Sequence, residues 1–130
     1  MYLENEKDYI MRMIKQMVHA IVSVILGKEF RLVELPNENK CDVSGTPLLT
    51  YLDMVDDGQI NEAENIILQN VDYSSKKDIA ALALFYEHIN RKEESFLEEH
   101  DYSMEEVLDG LKQAAKRTGF GDVVNLISGE

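Results

Sequence analysis

The chain has 130 residues and a mass of 14.9 kDa, the size of one domain. Apolar residues make up 45% and charged residues 29%, which excludes a disordered or collagen-like chain. Thirteen basic against 25 acidic residues give a net charge of −12, which argues against nucleic acid as a partner, because attraction to phosphate supplies most non-specific affinity.

The first predicted element is an amphipathic helix over residues 8–26, closed by Gly27 as a left-handed cap. Ile10, Ile14, Met17, Ile21 and Val24 form a stripe at alternating four- and three-residue steps. Met11, Val18, Val22 and Ile25 widen it on one side, and Met13 and Ala20 on the other. The apolar arc covers roughly 220°, against a polar strip of Arg12, Lys15, Gln16, His19 and Ser23. A helix lying on one layer needs little more than about 100°, so this one must be covered from two sides. In so small a chain a second copy is the expected cover. Ile10, Met13, Ile14, Met17, Ile21 and Val24 are then the self-association residues of a homodimer. The alternative is a central helix in a monomer.

Glu4, Glu6 and Asp8 spoil the basic leader of a signal peptide, and Arg12, Lys15, Gln16 and His19 interrupt the apolar run. The expectation is a cytoplasmic protein with no integral membrane segment. Residues 1–31 carry five basic and four acidic side chains, so the basic strip could also lie on anionic lipid. The remaining chain, at −13, opposes that reading.

Both prolines, Pro36 and Pro47, fall in the segment from Gly27 to Pro47. Phe30, Leu32, Val33 and Leu35 suggest an extended stretch there, with no second strand candidate to pair with. Residues 28–47 are therefore predicted as an extended arm between the helix of residues 1–27 and a bundle over residues 48–130. Cys41 lies in this arm, in the polar loop Asn37-Glu38-Asn39-Lys40-Cys41-Asp42. A single cysteine excludes an internal disulfide framework and a cysteine-pair zinc site, and the expectation is an incidental thiol.

Beyond Pro47 the chain carries repeated helix punctuation. Thr46 as N-cap and Pro47 at the first helical position open helix two, Leu48 to Asp56, and Gly58 breaks it. Asn61-Glu62-Ala63-Glu64 is a capping box that opens helix three, to about Val71. Ser75-Lys76-Lys77-Asp78 opens helix four, with Ile79, Leu82, Ala83, Tyr86 and Ile89 on one face; His88 is expected at its surface. Ser103-Met104-Glu105-Glu106 opens helix five, which runs through Arg117 to Gly119. A last short helix is predicted over residues 122–127. Short turns imply antiparallel hairpins, so the fold class is all-α.

Gly58, Ala63 and Ile67 resemble the turn and second helix of a tetratricopeptide repeat, although no 34-residue period recurs. The resemblance implies a helical hairpin. The stretch from Asp53 to Glu64 is also similar to an EF-hand loop, with Asp53, Asp57 and Glu64 as candidate calcium ligands around Gly58. Val55 departs from it, standing where a coordinating oxygen belongs. A solvated turn with a capping box is the default.

From Glu93 to Asp109 there are eight carboxylates and no Lys or Arg, with His100 among them. Such a run keeps a protein soluble, or binds a divalent metal or a basic partner. Gly119-Phe120-Gly121 follows a helix rather than a strand, and no serine sits in a nucleophile elbow, so no catalytic or cofactor-binding residue is expected. Residues 6–17 with Leu26-Gly27-Lys28, and the later Asp57-Gly58-Gln59-Ile60-Asn61-Glu62-Ala63-Glu64 block, resemble a small bacterial protein family without assigned activity. That resemblance implies a cytoplasmic helical protein. The leading expectation is a non-enzymatic interaction or scaffold module that self-associates; the alternatives are weak calcium binding and membrane-surface binding.

Overall fold

The computed structural model describes residues 3–27, 35–122 and 127. Among them, six α-helices and one two-stranded antiparallel sheet build an all-α fold. Helix α1 spans Leu3–Leu26, and Gly27 follows it at φ +73° as the left-handed cap. It begins before the predicted start because Glu4 to Lys7 carry no apolar periodicity from which a helix could be read.

Helix α4 (Lys76–Asn90) and helix α6 (Met104–Thr118) both pack on α1. Its wide apolar arc is thereby covered within one chain, and Met13, Ile14, Met17, Val18, Ile21 and Val22 are all buried. This corrects the assignment of a self-association face. Met13, Ile14, Met17 and Ile21 are interior, Ile10 is half-buried against the core, and Val24 in the last turn is exposed. Ser23, expected on the polar strip, is buried. By length and composition Asp8–Leu26 is apolar enough to cross a membrane, with a mean hydropathy of 1.4, so Arg12, Lys15 and His19 do not exclude it on that measure. In the fold, 44% of that stretch is buried against protein.

Residues 35–47 are not an extended arm. Glu38–Lys40 form one 3-10 turn, capped by the Asn37 side chain, which accepts from the Asn39 N–H at 2.9 Å. Strands β1 (Asp42–Val43) and β2 (Thr46–Pro47) then pair, with Val43 opposite Thr46. Ser44 and Gly45 between them have φ of +48° and +92°, the two positive values of a type I′ turn. A serine seldom adopts that conformation, and here Asp78 holds it. The Ser44 N–H and hydroxyl donate to the two Asp78 carboxylate oxygens at 3.0 and 2.6 Å. The Asp72 N–H adds a third bond at 2.9 Å. Asp78, 4% exposed, thus pins the hairpin to the start of α4, and Val43 enters the core. Phe30, Leu32 and Val33 lie outside the described residues.

Helix α2 (Leu48–Asp56) has Pro47 at its cap, since Thr46 is committed to β2. It ends in a Schellman motif: Gly58, at φ +91°, donates to Val55 O, and Gln59 donates to Met54 O. Helix α3 (Ile60–Asn70) opens one residue before Asn61, so the predicted capping box does not form. Asn61 instead donates to Asp101 O at 3.1 Å. The other two caps stand as predicted: Ser75 accepts from the Asp78 N–H and Ser103 from the Glu106 N–H. Gly119, at φ +86°, ends α6. Helix α5 (Glu94–Glu99) is absent from the predicted elements; Leu97 is its single buried residue, too little for a periodic signal. Most of the predicted helix over residues 122–127 lies outside the described residues. One hydrophobic cluster joins α1, the hairpin and the helices from α2 to α6.

Candidate functional site

Helix α6 contributes Glu106, Asp109, Gly110, Gln113 and Arg117 at helical spacing, one stripe along one face. Opposite that stripe stand Glu64 and Leu68 of α3, Tyr86 of α4, and Tyr73 from the α3–α4 connection. These residues line a half-open cavity of about 390 Å³. Its charged residues are Glu64, Glu106 and Asp109 against Arg117, and two tyrosines, Tyr73 and Tyr86, stand among them.

The geometry depends on a close approach at Gly110. A Cβ there would fall 2.5 Å from Cζ and from the hydroxyl oxygen of Tyr86. Glycine inside a helix costs about 1 kcal/mol relative to alanine, so its place here has a packing reason. It lets the buried Tyr86 ring lie against α6 while its hydroxyl donates to Glu64 Oε2 at 2.7 Å. Burial first, and then the negative charge of Glu64, push the Tyr86 phenol far above its ordinary value. Tyr86 therefore remains a donor across the working pH range and fixes the carboxylate.

Tyr102, just before α6, is 3% exposed and is not among the residues that line the cavity. Burial raises its pKa most, followed by the charge of Glu64, then that of Tyr86, a hydrogen bond with Glu64, and the charge of Glu106. All three of these neighbours line the cavity. At the other end the Arg117 guanidinium carbon stands 5.1 Å from the Tyr73 ring centroid, a cation–π contact. The cavity thus combines carboxylates and aromatic faces. It can hold a cation through charge and stacking together.

The predicted calcium ligands lie elsewhere or serve other partners. Asp53 belongs to α2, Asp57 caps its C-terminus, and Glu64 accepts the Tyr86 hydroxyl. Among the described residues no three His, Cys, Asp or Glu side chains converge as a metal-binding set. His100, named with the acidic run, has its ring packed on Gly58 and edge-on to Phe96 at 4.7 Å. His88 is half-buried rather than a surface residue: its Nε2 lies 2.7 Å from Asp56 Oδ1, and its Nδ1 lies 3.7 Å from Glu38 Oε2. Lys92 also pairs with Asp56, so this cluster ties the 3-10 turn and α2 to the end of α4. Burial, and then Asp42 and Glu38, raise the Cys41 thiol, the opposite of an activated thiolate.

Sequence reasoning places Glu106 and Asp109 in the acidic run but misses Tyr73, Tyr86 and Arg117 as their companions. The signal available is the stripe at 106, 109, 113 and 117 on a helix whose opposite face is apolar.

Fold and cavity together define a small all-helical protein with one shared core and an acidic, tyrosine-lined groove. The chain belongs to a family of unknown function, DUF6483, whose model matches residues 4–119. No curated protein and no solved structure matches the chain.

Proposed function

We propose that this is a non-enzymatic, cytoplasmic interaction module whose working site is the groove between α3, α4 and α6, and that its partner is a basic segment of another protein. The observation that carries this reading is the set of carboxylates Glu64, Glu106 and Asp109 arranged around Tyr73 and Tyr86. The net charge of −12 adds long-range attraction for such a segment. The α2–α3 hairpin, with Gly58 at its turn and Ala63 and Ile67 buried, is consistent with the helical hairpin that the tetratricopeptide resemblance implies.

An NMR titration of the labelled protein with a lysine-containing basic peptide tests it. Amide shifts should concentrate on residues 64–73, 86 and 106–117, and Glu106→Gln with Asp109→Asn should weaken binding. Shifts spread evenly over the acidic surface, or none at millimolar peptide, would sink the reading. Self-association through α1 has lost the observation behind it, because that helix is covered within one chain. Among the described side chains, the large apolar ones that stay exposed on that helix are Tyr9, Val24 and Leu26. Light scattering at micromolar concentration should give a 14.9 kDa species.

A further inference from the structure

We infer that a recess between α1 and the end of α4 binds a small organic acid, a carboxylate with a neutral O–H or N–H donor on the adjacent carbon. Met11, Arg12, Lys15, Glu87, Asn90 and Arg91 line it, and its volume is about 260 Å³. It shares no lining residue with the groove between α3, α4 and α6, so the two readings stand or fall separately.

The observation that points to a ligand is Asn90. It lines the recess, is 4% exposed, and its Oδ1 is buried with no hydrogen-bond partner among the described residues. Its Nδ2 donates to Met11 O and to Glu87 Oε1, each at 3.1 Å, so both amide protons are placed. Turning the amide over would set Oδ1 against a carbonyl and a carboxylate, two acceptors, and the orientation is therefore fixed. These bonds tie α4 to α1 and account for the nitrogen. They leave the oxygen as a buried acceptor without a donor, an uncommon and costly state that a ligand donor relieves.

The second observation is charge. Three cations against one carboxylate, Glu87, give the lining a net of +2, on a chain whose net charge is −12. Arg12 and Lys15, three residues apart on α1, share one face and are exposed. Arg91 is partly engaged, its Nε 3.5 Å from Glu87 Oε2 and its Nη1 4.0 Å from Glu38 Oε2. A guanidinium meets a carboxylate in a planar fork, which Arg12 supplies, and the Lys15 ammonium adds a second charge. The same cations oppose an ammonium as the donor for Asn90, so that donor is a neutral group. The buried Glu87 and the carbonyl end of α4 oppose a second negative charge, which favours a monoanion over a phosphate-ester dianion. Oδ1 lies below the surface, and the donor reaches it as the exposed Arg12 and Lys15 side chains turn onto the carboxylate, a rotamer change of nanoseconds. The volume is under the roughly 300 Å³ at which drug-sized sites begin, and that limits the occupant to a small acid.

NMR titration of the labelled full chain with lactate and with propionate, which differ by one hydroxyl, tests the inference. Lactate should give saturable shifts confined to residues 11–15 and 87–91, and should bind about fivefold more tightly than propionate. N-acetylalanine, with an N–H in the same place, should likewise bind more tightly than its N-methyl analogue. Uncharged lactamide should not bind. Arg12→Gln with Lys15→Gln, both at exposed positions, should weaken lactate and propionate alike by about tenfold. Asn90→Ala should remove the preference for lactate and keep the propionate affinity, with circular dichroism confirming the fold. Should that variant fail to fold, the lactate–propionate pair decides on the unsubstituted protein. Equal affinity of the two acids, or a preference that survives Asn90→Ala, would overturn the inference. Tighter binding of methyl phosphate than of lactate would overturn the carboxylate as the ligand group. Shifts produced equally by chloride, or none at high millimolar lactate, would overturn the site itself.

Discussion

Substituting Gly110 by alanine separates helix propensity from the packing that builds the groove. Propensity alone favours alanine in the middle of α6 by about 1 kcal/mol. The added Cβ would stand 2.5 Å from the Tyr86 ring and hydroxyl, a distance that real contacts do not tolerate. Tyr86 is fully buried, so the ring cannot swing into solvent and must push against its neighbours. Overpacking of this kind costs about 1–3 kcal/mol. Any displacement also breaks the 2.7 Å bond to Glu64, and a hydrogen bond to a charged acceptor contributes about 1.5–3 kcal/mol. The losses outweigh the propensity gain, and a net destabilisation of about 2–4 kcal/mol is expected. Thermal unfolding should then shift down by roughly 8–16 °C, at about 4 °C per kcal/mol for a chain of this size. The same substitution in a Tyr86→Ala background should stabilise by about 1 kcal/mol, because only propensity remains. If Gly110→Ala stabilises the otherwise unaltered protein, or costs the same in both backgrounds, the close approach is not what glycine serves.

Four further outcomes follow from named contacts. Asp78→Asn replaces one acceptor oxygen by a donor facing the Ser44 or Asp72 N–H, and urea unfolding should show a loss of about 3 kcal/mol. Gly58→Ala puts a side chain at φ +91° and against the His100 ring, so a loss of about 2 kcal/mol is expected, partly recovered by His100→Ala. Partial burial pushes the Asp56 carboxyl up, but hydrogen bonds from Lys92 and His88, with their charges, outweigh this and hold it below its ordinary value. A depressed carboxyl stabilises above its unfolded value and loses that stabilisation as pH falls through the folded one. The gap between the unsubstituted protein and Asp56→Asn, well under about 1 kcal/mol for so exposed a pair, should therefore be present at pH 6 and shrink as the pH falls below the ordinary carboxyl value of 3.8. Calcium at millimolar concentration should leave the melting temperature unchanged, since Glu64 is engaged by Tyr86; a rise abolished by Glu64→Gln would restore the EF-hand reading.

Helices with strong periodicity and local caps are legible in the sequence alone. Ser75 and Ser103 cap where expected because that bond spans three residues and needs no tertiary partner. Expectations fail where a distant group intervenes. Asn61 has the pattern of a cap, yet Asp101, forty residues on, takes its side chain. Thr46 has it too, yet β1 claims its backbone. The hairpin escapes notice because two-residue strands show no alternation, and Ser44 holds a positive φ only with Asp78 to bind it. The 220° arc of α1 is a sound demand for two covering layers. It does not say whose layers, and α4 and α6 supply both from the same chain.

The groove is hidden for a related reason. A carboxylate run is read as solvated because linear sequence gives each side chain only its neighbours, and eight acids with no base have no evident partner. Folding divides that run. Glu93, Glu94, Glu98 and Glu99 belong to the cap and body of the short α5, next to His100, which packs on Gly58 and Phe96, whereas Glu106 and Asp109 line the cavity with two tyrosines. The division is made by Ser103, whose hydroxyl donates to Glu106 Oε2 at 3.2 Å and starts α6 at a fixed angular phase. That phase places 106, 109, 113 and 117 on one face and Val107, Leu111 and Ala114 inside the core. Shifting the start of α6 by one residue would rotate the acids by about 100° and carry them away from Tyr86 and Tyr73. A local cap, readable from the sequence, therefore sets the register of a site that is not, and Gly110 on the same face admits the tyrosine that completes it.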